Sequence, residues 1–246
     1  MDRLLYVSTI GASQIEQAQA VHSHNLANVA TKGFRADFAQ AQSRWVEGDG
    51  YPARVYGITE TPGTDFSEGI LQATGRALDI AVEGPGFLTV QLPDGSEAFT
   101  RAGDLQLDSA GRLLSRDGLP VLGDGGPIAL PPFQSLVVGE DGSLTVRPQG
   151  QGPETLVQVE RLKLVNPNVG DIVKDASGLF KRADGAPEPA DANARVVSGF
   201  LESSNVNAVN ELTEILSLAR QFELEVRMMR TAQSNDETAA QLLQIG

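Results

Sequence analysis

Glycine and proline are confined almost entirely to the middle of this 246-residue chain. All 13 prolines and 23 of the 26 glycines lie between positions 48 and 199, whereas the first 45 residues contain only Gly11 and Gly33. From position 200 to position 245 neither residue type occurs. Because glycine and proline favour turns and interrupt helices, this distribution predicts two helical ends on either side of a turn-rich middle.

The middle of the chain has the pattern of antiparallel β structure. Leu78, Ile80 and Val82 alternate with polar or small residues, as in a strand that is buried on one face. Asp-Gly pairs at 94–95, 117–118 and 141–142 separate short apolar runs, which is a strong signal for hairpins. The run 155–165 predicts one longer strand that contains a bulge. We therefore expect an all-β domain built of antiparallel hairpins.

The C-terminal segment has the most regular apolar pattern in the chain. Ten positions spaced alternately by three and four residues extend over more than four heptads, and eight of them are apolar. This spacing predicts one long helix with a coiled-coil-like seam, and Ser204, Asn205 and Asn207 are candidates for its N-cap. The predicted seam consists of Leu212, Ile215, Ala219, Phe222, Val226, Met229, Gln233, Asp236, Ala240 and Leu243.

The N-terminal segment has a weaker helical pattern that ends near Gly33. We expect Gly33 to adopt the left-handed conformation typical of a helix C-terminus, and Phe34 to fold back on the last turn. The fold class is thus α+β, with an N-terminal helix in 1–45, a connector in 46–75, a mainly antiparallel all-β domain in 76–200 and a heptad helix in 201–246. The residues that share the N-terminal helix face are Ile15, Ala18, His22, Leu26 and Val29.

A long helix with one narrow apolar seam needs a partner. Eight side chains buried along such a seam do not offset the backbone entropy that is lost when a helix of this length becomes ordered. We expect the seam to pack on the other terminus or on neighbouring chains. The simpler alternative is that both ends pack on the β domain as ordinary surface helices.

Charge and hydropathy exclude several kinds of partner. The net charge of −13 argues against binding to nucleic acid or to an anionic membrane surface. No apolar run approaches the roughly 20 residues that span a bilayer, so we expect no direct membrane insertion. The first six residues lack the apolar core of a secretory signal, and we therefore expect no cleaved signal peptide.

Residues that commonly carry chemistry are few or badly placed. The chain has no cysteine, and its only histidines, His22 and His24, point to different faces of a helix. The cluster Gly123–Gly126 lacks the following Lys-Ser/Thr of a phosphate loop and is predicted to be a turn. We expect no enzymatic activity, no cofactor, no metal and no small-molecule substrate. The candidate carboxylates lie in turn-like contexts, which predicts solvated loop residues: Asp104, Asp108, Asp117 and Asp124.

Three segments carry a family resemblance. They are Asn25–Phe34 (NLANVATKGF), Leu78–Phe87 (LDIAVEGPGF), and Leu201–Val206 (LESSNV) ahead of the heptad helix. In this order they resemble the signatures of the flagellar axial proteins, the family of rod, hook and hook-associated subunits. The opening MDRLLY and the run Ala219–Glu223 (ARQFE) are most similar to the proximal rod members.

The resemblance implies a structural subunit of the bacterial flagellar basal-body rod, the periplasmic drive shaft. It implies partners among other rod proteins and copies of itself, and export by the flagellar type III apparatus. Two alternatives within this class are a distal rod subunit and a transient rod-assembly scaffold. A carbohydrate-binding β module is an alternative from a different class of protein. The assembly interface that the pattern and the resemblance together predict consists of Ile15, Ala18, His22, Asn25, Leu26, Asn28, Val29, Gly33, Phe34, Leu212, Ile215, Ala219, Phe222, Val226, Met229 and Leu243.

Overall fold

The structure, a computed structural model, describes residues 2–45, 55–60, 63–150 and 155–244, without the side chains of 2–4, 40–45, 55–60 and 242–244. Within these ranges it is α+β, as predicted: a long helix at each end and antiparallel strands between them. The chain divides into two compact units. The helical unit comprises Met1–Val29, Ala36–Asp65 and Val206–Gly246, and the β unit comprises Ala30–Arg35 and Phe66–Asn205.

The helical unit contains helices α1 (Asp2–Ala27) and α2 (Ala208–Gln244) and the hairpin β1 (Gln40–Trp45) and β2 (Val55–Glu60). With 37 residues, α2 is about 55 Å long at ~1.5 Å per residue. Its N-cap is Asn207, one of the three candidates, whose Oδ1 accepts hydrogen bonds from the backbone N–H groups of Val209 (3.0 Å) and Asn210 (3.2 Å). Helix α1 ends at Ala27, so it stops six residues before Gly33.

The two helices run antiparallel and pack along a seam of the predicted spacing. On α1 the predicted face is at least partly buried at every position. On α2 six predicted seam positions are partly buried, namely Ile215, Ala219, Phe222, Val226, Met229 and Asp236, but Leu212, Gln233 and Ala240 are exposed. The side chain of Leu243 lies outside the described residues. The regularly spaced buried and partly buried positions of α2 are Glu211, Ile215, Leu218, Phe222, Glu225, Met229, Ala232, Asp236 and Ala239.

The difference on α2 has a physical reason. Helix α1 offers small residues at the contact, among them Ser8, Gly11 and Ala12. A narrow line of small side chains covers only a narrow stripe of α2. The apolar surface of α2 is wider than the stripe that α1 covers. The sequence pattern alone does not show which part of that apolar surface faces α1.

The β unit is built from short antiparallel strands. The strands are β3 (Leu71–Ala73), β4 (Ile80–Glu83), β5 (Phe87–Gln91), β6 (Glu97–Thr100), β7 (Gln106–Leu107), β8 (Leu113–Leu114), β9 (Leu122–Gly123), β10 (Gly126–Pro127), β11 (Phe133–Val138), β12 (Ser143–Pro148), β13 (Val157–Arg161), β14 (Leu164–Val165), β15 (Ile172–Lys174), β16 (Phe180–Arg182), β17 (Arg195–Ser198) and β18 (Phe200–Glu202). A five-stranded sheet has the order β14-β5-β6-β16-β15, and a three-stranded sheet has the order β11-β12-β13. Two-stranded pairs join β3 to β18, β4 to β17, β7 to β8 and β9 to β10.

The three Asp-Gly predictions are confirmed. Asp94-Gly95 connects β5 to β6, Asp141-Gly142 connects β11 to β12, and Asp117-Gly118 forms the turn after β8. Gly95, Gly118 and Gly142 all have positive φ, which these tight turns require.

Two strand predictions are wrong. The run 155–165 is two strands, because β13 pairs with β12 while β14 pairs with β5 in another sheet. The expected irregularity does exist, at the register shift where Val159 has no partner on β12. Strand β4 was expected to be buried on one face, but Ile80, Ala81 and Val82 are all buried, and of these only Ile80 and Val82 belong to the main apolar core.

Candidate assembly interface

Polar and small residues dominate the contact between α1 and α2. Nδ1 of His22 lies 2.6 Å from Oε2 of Glu211, and at the other end Oγ1 of Thr9 lies 3.5 Å from Sδ of Met229. Between them Glu225 reaches the backbone of Gly11, where an added Cβ would lie 3.0 Å from Oε1 of Glu225. Polar contacts thus occur at both ends and in the middle of the seam, beside its partly buried apolar side chains.

Asn25 holds the chain that returns after α1. Its side chain is 1% exposed, its Nδ2 donates to the carbonyl oxygen of Asp37 at 2.9 Å, and its Oδ1 accepts from the N–H of Asp37 at the same distance. Nδ2 also lies 3.5 Å from Oε1 of Glu211 on α2. The amide thus pairs with the backbone as a neighbouring strand would. Asp37 also forms an isolated antiparallel bridge with Thr64. Asn25 therefore contacts the start of the segment Ala36–Asp65, and the bridge connects that start to the segment's other end.

The remaining predicted residues near the end of α1 have local roles. Asn28 donates through Nδ2 to the carbonyl oxygen of His24 at 3.0 Å, which satisfies a carbonyl of the last helical turn. His24 faces Asp37, with 3.3 Å between Nδ1 and Oδ2. The two histidines therefore contact different carboxylates, consistent with the prediction that they point apart. Leu26 and Val29 are half-buried.

Gly33 and Phe34 lie in the β unit. Gly33 has the predicted left-handed conformation, with φ of 67°, but a Cβ there would lie 2.3 Å from the backbone of Arg101, so a close approach of two chain segments requires glycine. Phe34 is 6% exposed, and the ammonium of Lys174 stands 4.0 Å from its ring centroid.

The sequence patterns did not predict the buried ionic cluster that Arg35, Arg101 and Glu202 form in the β unit. The carboxylate of Glu202 lies 2.6 Å from Nη1 of Arg35 and 3.3 Å from Nη1 of Arg101, and all three side chains are at most 3% exposed. Burial lowers the pKa of Arg101, although the charge of Glu202 opposes this shift. The N–H of Gly69 donates to Glu202 as well, at 2.8 Å. A pattern search misses the cluster because its members are 66 and 101 residues apart from one another in sequence.

Two family models and several known proteins match this chain. The model described as "Flagellar basal body rod FlgEFG protein C-terminal" matches residues 197–242, and "Flagellar hook protein FlgE/F/G D1 domain" matches residues 81–146. The rod protein FlgF of Escherichia coli (strain K12) is 37% identical over 99% of both chains, as is FlgF of Salmonella typhimurium (strain LT2). The rod protein FlgG of Bacillus subtilis (strain 168) is 31% identical over 100% of this chain and 99% of its own.

The chain belongs to the flagellar basal-body rod protein family. It is a structural protein of the flagellar rod and is most like FlgF. The C-terminal match covers β18 and nearly all of α2, and the D1 match covers the β unit from β4 to β12. Both the helical unit and the β unit thus carry the family's pattern.

The charged side chains of this rod protein lack the arrangement of a metal site within the described ranges. No three His, Asp or Glu side chains among those residues are grouped so that they could hold a metal ion. Asp117 and Asp124 are exposed, as predicted, and Gly123–Gly126 forms the turn between β9 and β10. Asp104 differs from the prediction, because it is partly buried and desolvation raises its pKa. In the described part of the chain, no helix is both long and apolar enough to cross a membrane.

Exposed apolar side chains lie on both helices of the rod protein. Leu5, Tyr6 and Val7 in the first turns of α1 are 40–60% exposed. Such side chains at the ends and flanks of a helix pair are typical of a surface that another chain covers. Those on α2 are 42–71% exposed: Val209, Leu212, Leu216, Leu224 and Met228.

Proposed function

We propose that this rod protein is a proximal-rod subunit that assembles through α1 and α2 into the periplasmic drive shaft. In the assembled state the helices would form a coiled-coil-like layer. The observation that carries the proposal is the set of eight large apolar side chains on the two helices that are at least 40% exposed. Burial of a large apolar side chain stabilises an interface by about 1.5–3 kcal/mol, so these side chains favour association with other chains.

The seam between the helices supports this proposal. Within the described residues, Oε2 of Glu225 and Oγ of Ser8 are buried and have no hydrogen-bond partner. A buried polar atom without a partner costs about 1–3 kcal/mol, so the contact between α1 and α2 is weaker than its length suggests. A helix pair of this kind gains stability from neighbours.

The predicted interface residues contribute to the proposed assembly in different ways. Leu212 offers an exposed apolar surface, and the partly buried Ile15, Ala18, Phe222 and Met229 hold the helix pair together. Ala219 and Val226, which also belong to the predicted interface, are partly buried at the edge of the seam. Asn25 and Asn28 secure the chain at the end of α1, whereas Gly33 and Phe34 secure the adjoining segment within the β unit.

The position in the rod, the route and the partners belong to the same proposal. Identity to the two FlgF proteins above exceeds that to FlgG, which favours the proximal over the distal rod. The subunit would be exported by the flagellar type III apparatus without a cleaved signal, and would contact other rod proteins and copies of itself. Its role would be structural, without catalysis, cofactor, nucleic acid or small-molecule substrate. A transient assembly scaffold is the second candidate within this family.

Purified basal bodies test the proposal. A tagged copy of the chain is expected to remain in mature basal bodies, at the membrane-proximal part of the rod. A chain that is required for rod formation but absent from the mature rod would support the scaffold. A chain found only at the distal part would support the distal rod.

A further inference from the structure

The Asp-Gly pairs of the β unit share one chemical property. Glycine has no side chain, so its backbone nitrogen can approach Cγ of the preceding aspartate and attack it. The N–Cγ bond forms, and the carboxyl hydroxyl leaves as water together with the proton of the nitrogen, which closes a succinimide ring. Five such pairs lie among the described residues of the β unit, namely Asp94-Gly95, Asp117-Gly118, Asp124-Gly125, Asp141-Gly142 and Asp184-Gly185.

Hydrolysis of the succinimide gives isoaspartate. Water adds to the main-chain carbonyl carbon of the ring, and the bond between this carbon and the glycine nitrogen breaks. The chain then continues through the former side-chain carbonyl, and the main-chain carbonyl becomes a free carboxyl group. Because the water lost in the first step is regained, mass and charge stay the same, but the main chain becomes longer by one methylene.

Hydrogen bonds hold the carboxylates of three of these pairs. Oδ1 of Asp94 and of Asp141 accepts from the N–H and the hydroxyl of the serine two residues on, at 2.9 and 2.6 Å and at 3.1 and 2.7 Å respectively. Asp184 accepts two bonds from Arg182. These bonds must break before Cγ can turn towards the glycine nitrogen. They also lower the pKa of all three carboxyl groups, and an ionised carboxylate reacts less readily because it has no hydroxyl to lose.

Turn hydrogen bonds hold the glycine nitrogen in four of the pairs. The N–H groups of Gly95, Gly142 and Gly185 each donate to the carbonyl oxygen three residues earlier, at 2.9–3.1 Å. Gly118 donates to the carbonyl oxygen of Ser115 at 3.0 Å, although no described residue donates a hydrogen bond to the carboxylate of Asp117. Attack by any of these nitrogens requires that its turn opens first.

Asp124-Gly125 differs from the other four pairs at both reacting groups. The two residues are exposed and form the two-residue turn between β9 and β10. Among the described residues, none donates a hydrogen bond to the carboxylate of Asp124, and none accepts one from the N–H of Gly125. Neither group therefore has to break a hydrogen bond with the protein before the nitrogen meets Cγ.

We propose that Asp124 is a modification site that converts spontaneously to isoaspartate, faster than the aspartates of the other four pairs. The added methylene lengthens the turn between Gly123 and Gly126, which are paired across β9 and β10. We expect the product to weaken this pairing while the charge of the chain stays the same. The reaction requires only the folded β unit, so the proposal goes beyond the proposed function and does not depend on it.

Oxygen labelling of the purified full-length chain tests this site. Each passage through the succinimide takes one oxygen atom from water, so the chain is incubated at neutral pH in water enriched in heavy oxygen and then digested in ordinary water. Fragment-ion masses assign the label to individual aspartates. We expect Asp124 to take up label several-fold faster than Asp94, Asp141 and Asp184, and faster than Asp117.

Two comparisons separate the effect of the fold from that of the sequence. In concentrated guanidinium chloride the hydrogen bonds are lost, so the five pairs should take up label at similar rates. Gly125→Ala should reduce the label at Asp124 several-fold in the folded chain, because the new Cβ hinders the attacking nitrogen. The fold should tolerate this Cβ, since it would meet only the flexible carboxylate of Glu160, at 3.2 Å, and circular dichroism checks that the variant is folded.

Three results would overturn the proposal. The first is that any of the other four aspartates takes up label as fast as Asp124 in the folded chain. The second is that the same order of rates persists in guanidinium chloride, because the fold would then not be its cause. The third is that a folded Gly125→Ala chain is labelled at Asp124 at the natural rate. Failure of the chain to enter the rod would count against the proposed function alone.

Discussion

The carboxylate of Glu202 lies 2.6 Å from the guanidinium of Arg35, and each side chain is only 1% exposed. Arg101 shares the same carboxylate, so one buried negative charge faces two buried positive charges. The backbone N–H of Gly33 donates to the carbonyl oxygen of Glu202 at 2.9 Å, and Gly69 donates to its side chain. Glu202 thus joins three segments of the β unit that are far apart in sequence.

Substitution Glu202→Gln is expected to destabilise the β unit strongly. Removing the carboxylate leaves two buried guanidinium groups without a counter-charge, and breaking a buried ion pair in this way costs about 3–5 kcal/mol. Chemical denaturation monitored by circular dichroism measures the loss. Glu140→Gln is the matched control, because Glu140 is exposed in the same unit and should change the free energy of unfolding little. Equal effects of the two substitutions would contradict the role assigned to Glu202.

Substitution Asn25→Ala should loosen the segment that begins at Asp37. The change removes both hydrogen bonds to the partly buried Asp37 backbone, and each lost bond costs about 0.5–1.5 kcal/mol. Faster hydrogen exchange of the Asp37 amide is the specific measurement. Asn28→Ala removes a bond to the carbonyl of His24 and keeps both bonds between Asn25 and Asp37, so the Asp37 amide should stay protected. If both variants exchange alike, Asn25 does not hold this segment.

Substitution Phe222→Asp is expected to abolish rod assembly while the β unit stays folded. Phe222 is partly buried in the seam between α1 and α2, and a charge placed there would cost several kcal/mol. Motility and the resistance of the β unit to proteolysis are the two measurements. Phe222→Leu keeps an apolar side chain at the same position and should support motility. Normal motility of the Phe222→Asp variant would show that this position is not in an essential contact.

The ion pair between Arg182 and Asp184 predicts a specific pH dependence. Arg182 donates to Asp184 through Nε at 2.9 Å and Nη2 at 2.7 Å, and these bonds lower the pKa of Asp184 to about 2. Because the folded-state pKa is below the unfolded value of about 3.9, the pair stabilises the fold above pH 4. That contribution is lost as the pH falls through 2.

Titration of the Asp184 carboxyl by NMR checks this value. Arg182→Gln should return the pKa of Asp184 towards its ordinary range, because the hydrogen bonds that lower it are gone. Arg195→Gln, an exposed arginine of the same unit, should leave it near 2. An unchanged pKa in the Arg182 variant would mean that another group lowers it.

Local sequence patterns predicted the helices and turns whose geometry depends on residues that are close to one another in sequence. The long run without glycine or proline and the Asn207 side chain define where α2 begins, because a cap bonds to the backbone two and three residues away. Asp94-Gly95 and Asp141-Gly142 define hairpins for the same reason, since the turn itself requires positive φ. The family signatures identified the rod class.

Tertiary structure decided everything that depends on contacts between distant residues. The pattern of α2 showed an apolar surface, but only the packed helix pair shows that Leu218 is partly buried and Leu212 is exposed. The run 155–165 is continuous in sequence, but its first half pairs with β12 and its second half pairs with β5. Because these partners belong to different sheets, the run forms two strands, β13 and β14. The distances among Arg35, Arg101 and Glu202 likewise arise only when three remote segments pack together. Sequence by itself therefore determined the helices, the turns and the family, because these depend on local geometry. Only the packed structure decided which faces are buried and which charges meet, because burial and ion pairing depend on residues far along the chain.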